Sequence, residues 1–354
     1  MQLAQVEDTG RIADPQAAAA SAGLRYVSGE DRGITRRLAG TGFSYANGDG
    51  APIRDKAVLA RIRKLAIPPA WTQVWICPQA NGHIQATGLD AKGRKQYRYN
   101  DEFRALRESA KFEHILVFAQ VLPTIRETVA KDMARHGLPR EKVLATIVHL
   151  LETTLVRVGN KDYAKANGSY GLTTLREPHV DVSGATLRFH FKGKSGKTWN
   201  LKVHDRRVAR IVRACQDLPG QQLFQYLDEE GTRQGIDSAD VNAYLKEITG
   251  REITAKDFRT WFGTVAAATL LHERGACDTV TATKKTTREI IETVSGRLGN
   301  TPTICRKCYI HPEVLAAYGD AALSLRIRKA GAGDKTKLTP EEAAVYRFLV
   351  GRLG

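Results

Sequence analysis

The chain has 354 residues, 42% of them apolar, enough for two ordinary domains with cores of their own and too apolar for a disordered protein. Lys and Arg outnumber Asp and Glu by 54 to 38, a formal charge of +16 that points to a polyanionic partner such as nucleic acid, although a basic face also suits a membrane surface or solubility. No run of about 20 apolar residues is present to span a bilayer, no basic-then-apolar leader marks secretion, and the five cysteines form no framework, so the expected setting is a reducing cytoplasm.

Residues 1–22, with the run Ala17–Ala20, read as a loose leader. From 23 to 105 short strands dominate, around Gly33–Leu38, Phe43–Tyr45, Val74–Cys77, His83–Thr87 and Gln96–Tyr99. One helix near Asp55–Leu65 interrupts them and is closed by Pro68 and Pro69. From 106 to 354 the period changes to helical. Val143, Leu144, Ile147, Leu150, Leu151 and Leu155 form one apolar stripe, and further helices are predicted near 102–119, 205–215, 237–249, 255–272, 286–297 and 340–351. The last starts with a capping box, Thr339 and Glu342 around Pro340. A hairpin breaks the series: Leu187, Phe189 and Phe191 alternate with polar residues, Trp199, Leu201 and Val203 repeat the pattern, and the turn Gly193–Gly196 puts Lys194 at its tip. The fold class expected is α+β, a small mostly β N-terminal domain followed by a larger mainly α domain carrying a β-hairpin.

Four segments carry candidate chemistry, each with a plainer alternative. Arg157 ends the apolar stripe in Leu155-Val-Arg-Val-Gly-Asn160 and needs an anion there, either a ligand or a structural ion pair. The polar run from Tyr163 to Leu175 suits backbone contacts with phosphates. Lys194 suits entry into a nucleic-acid groove, or is an ordinary turn lysine. Ser195-Gly-Lys-Thr198 imitates half of a P-loop, but Phe191 stands where its first glycine belongs and a strand follows, which excludes nucleotide binding. Arg259 follows a helix start at Thr254 and Asp257, where N–H groups favour anions, or it covers core surface. Tyr309 lies near the end of a short helix begun by Thr301 and Pro302, flanked by Arg306, Lys307 and His311, as a nucleophile toward phosphate or a half-buried core tyrosine. Cys305 and Cys308 form a lone C-x-x-C pair; zinc requires about two more ligands, a second such pair is missing, and although His272 and Cys277 are conceivable partners, free thiols are expected, with no metal site and no cofactor.

Order and spacing together resemble the type IB topoisomerases, in the compact poxvirus-type form that occurs in bacteria, and the likeness spans most of the chain. The resemblance implies a catalytic set of Arg157, Lys194, Arg259, Asn300 and Tyr309, with Gly171-Leu-Thr-Thr-Leu175 as a typical run. Asn300 departs from the viral enzymes, which have histidine there. An amide still donates a hydrogen bond but carries no charge. In the N-terminal domain, alternation puts Lys95, Tyr97 and Tyr99 on one strand face and Arg94, Gln96 and Arg98 on the other. Such residues suit phosphates, sugars and base edges, or form a charged edge strand, and the family uses the matching strand against DNA. Implied, then, is an enzyme that opens one strand of double-stranded DNA through a 3′-phosphotyrosyl link, relaxes supercoils of either sign and reseals without ATP or metal, working as a monomer clamped on the duplex. The alternative is a tyrosine site-specific recombinase. Those enzymes usually have histidine three residues before the second arginine, where this chain has Lys256, and a helical N-terminal domain.

Overall fold

The computed structural model describes residues 15–328 and 337–353, so residues 1–14 of the expected leader lie outside the described residues. The remainder of that leader is not loose. Pro15–Ser21 form helix α1, because Ala18 and Ala19 are buried in a small cluster with Leu24 and Phe103. Two compact units make up the chain, divided between His114 and Ile115.

The first unit is built on one antiparallel sheet. Its strands are β1 (Ile34–Ala39), β2 (Gly42–Ala46), β3 (Thr72–Ile76), β4 (Ile84–Leu89) and β5 (Lys95–Tyr99), in the order β2-β1-β3-β4-β5. Helix α2 (Lys56–Lys64) begins at Asp55, whose carboxylate accepts from the Ala57 N–H at 2.7 Å. Ile62 from this helix packs with Ile34, Val74, Ile76 and Ala86 from the sheet. That burial of an apolar face on alternating strand residues is what holds a sheet of such short strands together. Strand β5 ends the sheet, paired only with β4, with Tyr97 opposite Thr87 and Lys95 opposite Leu89.

Helix α3 (Asp101–Asp132) spans the division and runs through Pro123, well past the predicted end near 119. After it come α4 (Arg140–Thr154), α5 (Lys161–Asn167), β6 (Val180–Ser183), β7 (Thr186–Lys192), β8 (Thr198–His204) and α6 (Arg206–Gln216). A short ribbon, β9 (Gln225–Leu227) with β10 (Arg233–Gly235), leads to α7 (Ser238–Thr249), α8 (Ala255–Arg274), α9 (Val280–Leu298), α10 (Pro302–Tyr309), α11 (Pro312–Gly319) and α12 (Pro340–Leu353). The mixed α+β class expected from the sequence is the class found, and the hairpin β7–β8 turns where its alternation ends. Strand β6 adds a third member on the β7 side, in the order β6-β7-β8.

The second unit has one continuous core. The buried face of α4, from Val143 to Leu151, lies in it with Phe118 from α3, Phe258 and Trp261 from α8, and Leu187, Phe189 and Phe191 from the hairpin. Phe118 and Phe258 meet edge to face with centroids 4.9 Å apart. The capping box read at Thr339 is present: Glu342 accepts from the Thr339 N–H at 2.8 Å, and the Thr339 hydroxyl accepts from the Glu342 N–H at 3.2 Å. Glu342 also pairs with Arg126 at 2.8 Å, so one carboxylate starts α12 and ties it to α3. Among the described residues no helix is long and apolar enough to cross a membrane.

Candidate active site

Helix α4 ends because Leu155 takes a left-handed conformation, φ 60° and ψ 14°, which is uncommon for a residue with a side chain of this size. The chain turns out of the core there and presents Arg157, half-buried, on the next extended stretch. That stretch is clamped from one side. The Leu172 N–H donates to Arg157 O at 2.9 Å, and Thr173 donates to Val158 O through its N–H at 2.7 Å and its hydroxyl at 2.9 Å. A Cβ at Gly171 would stand 2.5 Å from Arg157 O, so only glycine lets the two backbones lie this close. This corrects the reading of residues 163–175 as a phosphate-binding run. Leu172 and Thr173 spend their N–H groups on the arginine segment, and residues 161–167 are the helix α5.

Arg259 lies one turn into α8 and is 3% exposed. Its Nη1 donates to Leu155 O, and its Nη2 donates to Leu298 O at 2.6 Å. Two carbonyls from distant segments thus fix the plane of the guanidinium. Asp257 accepts from the Thr254 N–H at 2.8 Å and so closes the start of the helix, as the sequence suggested. Burial, and next the nearby Arg157, make the Arg259 guanidinium less basic than usual, while the Tyr309 phenol opposes that shift. A guanidinium remains charged under such shifts, so a desolvated cation is held in place.

Helix α9 ends at Gly299, with Asn300 following in the turn to α10. The Asn300 Oδ1 accepts from Arg157 Nη2. Among the described residues Arg157 meets an amide and pairs with no carboxylate. Helix α10 starts at Thr301 and Pro302 as expected and finishes on Tyr309, which is half-buried. The Arg259 guanidinium carbon lies 5.1 Å from the centre of the Tyr309 ring. Neighbours in sequence contribute less: Arg306 and Lys307 are exposed, and His311 is buried and accepts from the Glu313 N–H at 3.1 Å to start α11.

Four of the five candidates are thereby brought together, and two of them keep unused donors. Among the described residues, Arg259 Nε and Asn300 Nδ2 are buried with no hydrogen-bond acceptor. A buried donor without a partner costs about 1–3 kcal/mol, and the oxygens of a bound phosphate are acceptors that would relieve it. Lys194 stands apart, exposed at the hairpin tip. The hairpin itself reaches the cluster through Lys197, whose Nζ donates to Gly296 O at 3.0 Å, and through Trp199, which lies against Gly299. These contacts of Lys197 and Trp199 with the end of α9 are ones that sequence spacing did not reveal. Cys305, buried next to Arg259, is a thiol pushed up to about 11 by burial, with the guanidinium opposing. All five cysteines are free, and among the described residues no group of three or more His, Cys, Asp or Glu is placed to hold a metal ion.

The candidate DNA-contacting residues lie in the other unit, on and beside β5. Tyr97 and Tyr99 stack with centroids 5.9 Å apart, and Lys95 Nζ sits 5.9 Å over the Tyr97 ring, the shared face that alternation predicts. Arg94 pairs with Asp90 at 2.6 Å, and Gln96 Nε2 donates to the same carboxylate at 2.9 Å. Those bonds hold the Asp90 carboxyl well below the usual carboxylate range, Arg94 first among them.

Known proteins match both units. Residues 100–333 match the family model described as eukaryotic DNA topoisomerase I, catalytic core, and residues 42–90 match bacterial DNA topoisomerase IB, N-terminal domain. The chain is 32% identical over 293 residues to a DNA topoisomerase 1B of Acanthamoeba polyphaga mimivirus, covering 81% of this chain and 87% of the viral protein. It is 23% identical over 254 residues to the DNA topoisomerase I of Monkeypox virus, covering 71% and 76%. It is also 24% identical over 221 residues to a DNA topoisomerase 1 of Mycosarcoma maydis, covering 57% of this chain and 21% of that protein.

Proposed function

Because this chain belongs to the type IB DNA topoisomerases, isomerases that act on double-stranded DNA, we propose that Tyr309 is the nucleophile and that Arg157, Arg259 and Asn300 hold the phosphate it attacks. The Tyr309 Oη attacks phosphorus, the bond to the 5′ oxygen breaks, and a 3′-phosphotyrosyl link forms. Tyrosine loses its proton to solvent in this step, and Lys194 gives one to the departing 5′ oxygen as general acid. With the strand open, torsion swivels the duplex and relaxes supercoils of either sign. The 5′ hydroxyl then reverses the attack. One phosphoester is made for each one broken, so resealing needs no ATP. The negative charge that builds on the non-bridging oxygens is met by arginine and amide donors already desolvated by the fold, the arrangement that contributes most in such reactions. The recombinase alternative is not favoured by these likenesses.

One observation carries the assignment: among the described residues the buried Arg259 Nε, whose guanidinium lies over the Tyr309 ring, and the buried Asn300 Nδ2, whose amide is bonded to Arg157, have no acceptor. Two donors of this kind match the non-bridging oxygens of a phosphodiester. The test is to denature the protein during reaction with plasmid DNA, digest it, and map the nucleotide-bearing peptide. The expected adduct is on Tyr309, and Tyr309→Phe forms none while binding DNA with affinity near that of the parent chain. An adduct on another residue, or supercoil relaxation by Tyr309→Phe at the parent rate, overturns the proposal.

A further inference from the structure

Tyr309 is the last residue of α10, and Ile310 is extended, so the carbonyl of Tyr309 has no place in a helical ladder. One hydroxyl takes over. The Thr264 Oγ1 donates to Tyr309 O at 3.4 Å and accepts from the His311 N–H at 3.1 Å. It therefore ties Tyr309 to His311 across the two-residue link, Ile310 and His311, between α10 and α11. Thr264 is fully buried. A hydroxyl inside a helix usually turns back to the carbonyl four residues earlier, as Thr260 does to Lys256 O at 3.3 Å. Thr264 instead reaches across to another helix.

Its neighbour makes the approach possible. A Cβ on Gly263 would stand 2.4 Å from Tyr309 O and 3.1 Å from Tyr309 Cβ, contacts that no residue larger than glycine tolerates. Gly263 follows Arg259 by four residues and so lies on the same face of α8, and Thr264 is the next residue round the helix. The same turn and a half of helix therefore carries the guanidinium 5.1 Å from the phenol ring and the hydroxyl that fixes the backbone behind it.

We propose that Thr264 is a positioning residue that, with Gly263 allowing close approach, sets the distance and angle between the Tyr309 phenol and the phosphate held by Arg259. This rests on Tyr309 being the nucleophile. In-line attack is steep in geometry, and a misplacement of about 1 Å costs up to ~100-fold in rate. Thr264 touches neither DNA nor the reacting atoms, so its removal leaves affinity unchanged. Cleavage and resealing share one transition state, and both slow by the same factor, leaving the equilibrium between bound and covalent DNA where it was.

The experiment is single-turnover cleavage with excess enzyme on a nicked-product reporter duplex, comparing Thr264→Val, which keeps the shape and loses the hydroxyl, with Thr264→Ser, which keeps the hydroxyl. The expected result for Thr264→Val is cleavage and resealing each slowed by about 10–100-fold, with the reacting fraction and DNA affinity of the parent chain, and Thr264→Ser restores most of the rate. Thr264→Ala gives the same comparison if the valine variant does not fold. A parent rate in both hydroxyl-free variants overturns the proposal. So does a smaller reacting fraction at an unchanged rate, which is what a purely structural role produces. Mapping of the parent adduct separates the two assignments. If it lies elsewhere than Tyr309 the nucleophile is wrong, whereas a Tyr309 adduct formed at parent rate without the hydroxyl removes only Thr264.

Discussion

The two surfaces assigned to DNA differ in exposure and in how far their polar groups are already paired. Beside β5, Arg94 and Gln96 are bonded to Asp90, Arg98 Nη2 donates to Ala66 O at 2.8 Å although its Nε has no partner among the described residues, and Tyr97 is 42% exposed. At the tyrosine, Arg259 is 3% exposed, and Arg259 Nε and Asn300 Nδ2 have no acceptor at all. A group on β5 that meets a phosphate exchanges one partner, protein or water, for another, and exposed pairs of this kind are worth about 0–1 kcal/mol each. A buried donor in the tyrosine cluster has lost its water on folding, so on the proposed assignment a phosphate brings it a larger gain, aimed at one geometry. The proposed assignment thus spreads recognition over many replaceable contacts and concentrates chemistry in a few buried ones.

Lys194 is the member that breaks this division, since it is assigned to chemistry and yet is exposed at a turn. If it is the general acid, Lys194→Ala slows cleavage by roughly 10²–10⁴, the range for loss of such a group, with little change in affinity. A DNA with sulfur in place of the bridging 5′ oxygen decides the matter, because a thiolate leaves without a proton and should largely rescue the variant. An equal defect on both substrates makes Lys194 a phosphate contact of the β5 kind, and leaves Lys197, tied to Gly296 O, as the next lysine to examine.

Asn300 tests the other side of the comparison. Asn300→Asp keeps an oxygen for Arg157 and loses the buried Nδ2 donor, so the local fold should survive. Cleavage is expected to slow by about 10²–10³, as for removal of one oxyanion donor. The measurement is the single-turnover rate at saturating enzyme, with thermal unfolding as the check on folding. A rate within a few-fold of the parent would mean that the orphaned donor is not a phosphate ligand.

What the sequence disclosed about these two regions follows from range. Alternation along β5, the turn at Lys194, and the caps at Thr301 and Thr339 are written in residues a few positions apart, and the structure repeats them. The resemblance supplied Arg157, Arg259 and Asn300 as a set, but nothing local showed what holds them. The acceptors of Arg259 are carbonyls at Leu155 and Leu298, 104 and 39 positions away, and every residue has a carbonyl. Nothing local to Gly263 marks it either, since what requires a glycine there is the backbone of Tyr309, 46 positions on. Strands of three or four residues, such as β6, β9 and β10, were too short for a period to emerge. The first turns of α9, Val280 to Thr286, are rich in threonine and lysine on no clear stripe, so its predicted start fell late.

The smallest effect belongs to Lys95, and it is the most direct measure of how β5 works. Its ammonium sits over the exposed Tyr97 ring, and a residue in that setting meets DNA through a phosphate and not through the reacting centre. Lys95→Ala should then weaken binding to every duplex sequence alike. It should also lower the slope of log affinity against log salt by about 1, the release of one counterion. The rate of cleavage at saturating enzyme should not move, because the tyrosine cluster keeps all its donors. Titrating a labelled duplex at several salt concentrations gives the slope, and single-turnover cleavage gives the rate. A slope that stays the same while the saturated rate falls would place β5 in the chemistry. Recognition and catalysis would then not be divided between exposed, replaceable contacts and buried, waiting ones.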